Sequence, residues 1–92
     1  MKLILSAGSL YTLPLEKVFE IARDTGFEGM EVIISHDFHR HDGVELIEYL
    51  QRILPVAALH APFYEIDAWG NKIDQLHRTV RLARQTGIAP VN

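Results

Sequence analysis

Two stretches of this chain repeat each other. Ile21-Ala22-Arg23-Asp24-Thr25-Gly26 and Leu82-Ala83-Arg84-Gln85-Thr86-Gly87 carry the same order: two apolar residues, an arginine, a polar residue, a threonine and a glycine. Each reads as a helix end, with a cation in the last turn and a glycine able to adopt left-handed backbone just beyond. Aligning them sets Ile88 to Asn92 opposite Phe27 to Glu31. A chain that leaves a helix and enters a strand twice in the same way is built from repeating βα units. The predicted second and third strands start about 27 residues apart, a compact unit of this kind.

The remaining patterns fill in the units. Lys2 to Ser6 is a short apolar run without alternation, as a strand covered on both faces would be. A loop from Ala7 to Leu13 carries Tyr11, and Pro14 suits a first helical turn. Leu15, Val18, Phe19 and Ala22 then make one helical stripe. Gly29 to Ile34 is the second strand, and Ser35 to Gly43 reads as a loop. Asp42, with Glu45 three residues on, has the form of a capping box for a helix whose buried face is Leu46, Ile47, Leu50, Ile53 and Leu54. Pro55 ends that helix, and Val56 to Leu59 form the third strand. After a polar and aromatic loop from Tyr64, Asn71 caps a last helix with Asp74 at its third position. The expected buried stripe there is Ile73, Leu76, Val80 and Ala83, with His77 packed beside it and Lys72, Arg78, Arg81 and Arg84 facing water. Strand then helix, three times over, predicts a single α/β domain over residues 1–92 with a parallel sheet and right-handed crossovers. On the echo, the chain reaches only the start of a fourth strand.

Composition narrows the function classes. With 48% hydrophobic and 23% charged residues the chain has the make-up of an ordinary soluble domain. A net charge of −3, with no block of basic residues, offers no electrostatic footprint for nucleic acid. The absence of cysteine excludes disulfides, thiolate zinc sites and thiol nucleophiles, and fits a reducing cytoplasm. The apolar start is broken at Ser6 and Gly8, and no run approaches the roughly 20 apolar residues of a membrane span.

Three places carry candidate chemistry. Glu31 lies within an apolar strand, where a carboxylate is costly unless it is paired or faces a polar cavity; either a site network or an ion pair at the strand end would satisfy it. In Leu59-His60-Ala61-Pro62-Phe63, an apolar strand ends in a histidine, followed by a turn and an aromatic. His60 is thereby either a group on an active-site rim or a structural histidine. His36, His39 and His41, with Asp37 and Asp42, could compose a metal site, but their spacing matches no defined ligand pattern and suits a solvated loop. Ala7-Gly8-Ser9 matches neither nucleotide-binding fingerprint.

Two of these segments resemble a known family. Leu15 to Glu31, with its Gly26-Phe27-Glu28-Gly29-Met30-Glu31 entry into the second strand, and Leu59-His60-Ala61-Pro62-Phe63 look like the N-terminal part of the xylose-isomerase-like TIM barrels. That family includes sugar and sugar-phosphate isomerases and epimerases, and endonuclease IV. The resemblance runs through the whole chain in order and spans about the first third of a typical member. It implies a partial (β/α)8 TIM barrel: about three βα units plus the start of a fourth strand, in the place where a full barrel uses ~250 residues. A flavodoxin-like sandwich is the fold alternative, although it uses more strands.

The resemblance also implies a cytoplasmic enzyme that uses a divalent metal (Mn, Co, Mg or Zn) to polarise a sugar while acid and base groups move a proton. In epimerase-type members the metal ligands and catalytic glutamates come from later strands, so no catalytic or metal residue is assigned within this chain. Its contribution would be the substrate-facing wall: Tyr11, His36, Phe38, His60, Phe63 and Trp69, with Glu31 in a supporting network. On this expectation the chain is inactive alone, and its partners are a sugar or sugar phosphate and a C-terminal portion. A first alternative is an endonuclease-IV-like abasic-site nuclease fragment, in which His60 would itself bind zinc; the candidate loops hold one basic residue, Arg40, which disfavours DNA. A second is a non-enzymatic α/β module that self-associates through unpaired sheet edges.

Overall fold

The computed structural model describes residues 3–10, 13–40, 42–62, 66 and 69–92, omitting the side chains of Ser9, Leu10 and Arg40. Strand β1 (Ile4–Ser6) leads through a 3-10 turn (Ala7–Leu10) to helix α1 (Leu15–Asp24). Strand β2 (Gly29–Ile33) is followed by the short α2 (His36–Arg40) and by α3 (Gly43–Gln51), and strand β3 (Val56–His60) by α4 (Lys72–Thr86). The three strands are parallel and lie in sequence order, β1-β2-β3.

After α4 the chain returns alongside β3 in a single parallel bridge. Leu59 N–H donates to the Pro90 carbonyl at 3.1 Å, Asn92 N–H to the Leu59 carbonyl at 2.8 Å, and Ala61 N–H to the Asn92 carbonyl at 3.0 Å, around a parallel bridge of Leu59 with Val91. This is where the echo sets it. A flavodoxin-like order would put β1 between β2 and β3; here β2 holds the centre.

The helix starts and the two echo ends follow the sequence signals, whereas α3 ends at Gln51, four residues before Pro55, so that Ile53 and Leu54 lie beyond the helix. Asp42 accepts from Glu45 N–H, and Asn71 and Asp74 form a reciprocal capping box. The two echo glycines take the left-handed backbone their positions require, with φ of +94° at Gly26 and +74° at Gly87.

One cluster forms the core. Met30, Val32, Val56 and Leu59 from the sheet, with Ile34 just beyond β2, meet Val18, Phe19 and Ala22 of α1, Ile47 and Leu50 of α3, and Leu82 and Ala83 of α4. Each large side chain buried in this way stabilises the fold by about 1.5–3 kcal/mol. The helices therefore cover one face of the sheet. Tyr49 of α3 also ties to α1, donating its hydroxyl to Glu16 Oε1 at 2.6 Å. That bond, then partial desolvation and the negative charges of Glu16 and Glu20, holds the Tyr49 phenol above its ordinary pKa, with Arg52 opposing.

Two expectations are corrected. The stretch from Ser35 to Gly43 is not all loop: His36–Arg40 closes a helical turn, with Phe38 N–H bonding the Ser35 carbonyl at 3.0 Å. In α4 the buried stripe is Gln75, Thr79, Leu82 and Ala83, whereas Ile73 and Leu76 are 67% and 46% exposed and His77 faces solvent. Gln75 takes the core position because its side-chain oxygen accepts the Ile66 N–H, and Thr79 follows by donating its hydroxyl to the Gln75 carbonyl at 2.8 Å. A buried amide that satisfies a loop N–H loses little by leaving water.

Candidate functional site

Register decides what the second face of the sheet carries. Residues paired across neighbouring strands point to the same side. Ser6 pairs with Glu31, Glu31 with Ala58, and Ile33 with His60. None of these belongs to the core cluster, whereas their strand neighbours Val32 and Leu59 do. Ser6, Glu31, Ile33 and His60 thus line the face away from the helices, towards the C-terminal ends of the strands, and each is half-buried.

This face has its own polar links. Asn92 Nδ2 donates to Glu31 Oε2 at 3.3 Å, from the segment after α4 to the second strand. The reach passes β3 at Ala58, which is registered with Glu31 and whose methyl leaves the space. Among the described residues, Glu31 is therefore held by an amide donor and not by a Lys or Arg. His60 Nδ1 lies 2.6 Å from the Ala61 carbonyl oxygen. A carbonyl can only accept, so Nδ1 carries a proton in this contact.

The other sequence candidates divide between places. His36 begins α2, just after β2, and is exposed. Phe38 and Trp69 are buried in the helix-side core. They form the floor of a cleft of about 490 Å³ between α3 and α4, with Asp42, Glu45 and Glu48 on one wall and Arg78 and Arg81 on the other. The Arg78 guanidinium sits 5.7 Å from the Trp69 ring centroid, within cation–π range. Tyr11, Phe63 and His41 lie outside the described residues. Among the described residues, no three His, Asp or Glu side chains gather as a metal ligand set.

Two contributors were not singled out from the residues alone. Asn92 had a signal, since the echo aligns it with Glu31 and marks it as a strand residue on a repeated unit. Ser6 had none beyond its place at the end of a strand.

Comparison with known proteins places the chain among relatives without assigned roles. No family model matches it, and no solved structure does. It is similar to an uncharacterised protein of Mycobacterium leprae, with 34% identity over 96 aligned positions. It is likewise similar to uncharacterised proteins of Mycobacterium bovis and Mycobacterium tuberculosis, with 35% identity over 96 positions. Each alignment covers 99% of this chain and 34% of the relative. The chain thus spans about a third of the length of the curated relatives it matches. No helix among the described residues is long and apolar enough to cross a membrane.

Proposed function

We propose that this chain is the N-terminal portion of a metal-dependent sugar or sugar-phosphate isomerase or epimerase, built as a xylose-isomerase-like barrel. Its role is to supply part of the substrate-facing wall. The observation that carries this reading is the polar face of the sheet: Ser6, Glu31 and His60 stand on one side, with Asn92 bridging to Glu31, while the helices take the other side. A parallel sheet whose strands run in order, with helices on one side, is what an arc of a barrel would present, and on this reading the uncovered face is the barrel interior. Val91 beside β3 supports this arc over a dinucleotide-binding order, which would put the fourth strand next to the first. The relatives, about three times as long as this chain, have room for a barrel of ~250 residues.

On this reading His60 and Glu31 bind and orient the polyol. The Ala61 carbonyl holds the imidazole at the strand end, from where the ring hydrogen-bonds a substrate hydroxyl, and the Glu31 carboxylate, aimed by Asn92, accepts a hydrogen bond from a second hydroxyl. The described residues do not make a divalent-metal site by themselves. A bound metal would supply carbonyl polarisation, with its ligands drawn from the later strands.

The test is complementation. The chain, combined with a separately expressed C-terminal portion of a relative and Mn²⁺ or Co²⁺, is offered a panel of ketoses and sugar phosphates. Interconversion is expected, with KM raised about tenfold in His60→Ala, the loss of roughly one hydrogen bond to the substrate. No turnover across the panel sinks the isomerase reading. A second reading, a self-associating module without catalysis, draws on the open outer edge of β1; a monomer at high concentration removes it.

A further inference from the structure

Helix α4 has two flanks, and among the described residues they are covered to different extents. Arg78, Arg81 and Gln85 line the cleft shared with α3. On the opposite flank Ile73, Leu76 and Val80, three to four residues apart, form an apolar stripe that is exposed at Ile73 and Leu76 and half-buried at Val80. Ile73 is the most exposed large apolar side chain among the described residues, at 67%. Isolated apolar residues on a surface are ordinary, but a helical stripe of them is a packing face.

Position says what kind of partner fits. α3 lies on the side of α4 nearer β2 and β3, whereas the Val91 bridge lies on the far side. The bare stripe therefore faces the place a further βα unit would occupy. The molecule already makes this kind of contact between α3 and α4, which pack flank to flank. Charge narrows the partner further. Lys72 and Arg84 each lie four residues from a member of the stripe. A second copy packing α4 against α4 would oppose like charges, which is unfavourable. A helix with acidic borders complements them.

We propose that the Ile73-Leu76-Val80 flank of α4 is the docking surface for an amphipathic helix with acidic borders, carried by the two-thirds of the relatives that this chain does not span. The proposal rests on the barrel reading but not on its chemistry. The chain contains no cysteine, so Leu76→Cys introduces its single thiol, and Glu48→Cys on α3 gives an exposed control. Each variant is co-refolded with the remaining two-thirds of the Mycobacterium tuberculosis relative, and maleimide labelling of the variant chain is followed by mass spectrometry. Labelling of Leu76→Cys slows about tenfold with the partner at about ten times its Kd, and Glu48→Cys is unaffected. Equal rates for Leu76→Cys with and without partner overturn the proposal. So does slowing of both variants. So does protection of Leu76→Cys in the chain alone that is lost on dilution, which would make a second copy the occupant. A protected thiol without sugar turnover leaves the docking surface standing and removes the isomerase.

Discussion

The two faces of the sheet are made by alternate residues of the same strands, yet they have different tasks. Towards the helices stand Met30, Val32 and Leu59, fully buried and purely apolar. Away from them stand Ser6, Glu31, Ile33 and His60, half-buried and mostly polar. The first face holds the fold together. The second costs stability, since a carboxylate and an imidazole on a strand lose hydration, a loss that contacts such as those with Asn92 and the Ala61 carbonyl offset in part. Residues retained on a face where they do little for stability are better explained by a ligand than by the core.

Stability measurements can break or sharpen this contrast. The largest effect belongs to the covered face. Leu59→Ala lowers unfolding free energy by about 2–5 kcal/mol, whereas Ile33→Ala costs less than about 1.5 kcal/mol; urea titrations giving equal losses would erase the distinction. Next comes the pair of neighbours on α4. Gln75→Ala orphans the Ile66 N–H and costs about 1–3 kcal/mol. Leu76→Ala, next to it and exposed, stays within about 0.5 kcal/mol. A larger loss at Leu76 than at Gln75 would restore the apolar stripe as the core of α4. Asn71→Ala removes half of the capping box and costs about 1 kcal/mol.

The smallest effect is pH-dependent. Folding favours the protonated Tyr49 phenol, so its contribution is complete below the ordinary tyrosine pKa of 10.0 and is lost as pH rises through the raised folded value. Tyr49→Phe therefore flattens the alkaline limb of a stability profile and lowers its neutral region by the lost hydrogen bond to Glu16.

The sequence showed the repeat, the strand order in time, the caps and the two echo ends, because glycines, prolines and capping residues act locally. It did not show which stripe of α4 is buried. Ile73 and Leu76 outrank Gln75 and Thr79 on any apolar scale, and only the Ile66 N–H, supplied by a loop, makes the amide the better core residue. The short α2 was hidden because His36-Asp37-Phe38-His39-Arg40 has too few apolar residues for a helical period. Glu31 and His60 were legible as candidates from residue type. That they share a face depends on the register of β2 against β3, which includes an irregularity between Met30 and Glu31. That irregularity leaves no mark in the residues themselves.

The central claim is that one face of the sheet is covered by helices and the other is open to whatever this chain serves. Glu31→Cys and Val32→Cys test it on neighbouring positions of one strand in a chain without other thiols. At low protein concentration the thiol at position 31 reacts quickly with a maleimide, and the one at position 32 reacts only as the molecule unfolds. Equal protection at both positions would mean a sheet covered on both faces, and would contradict the account.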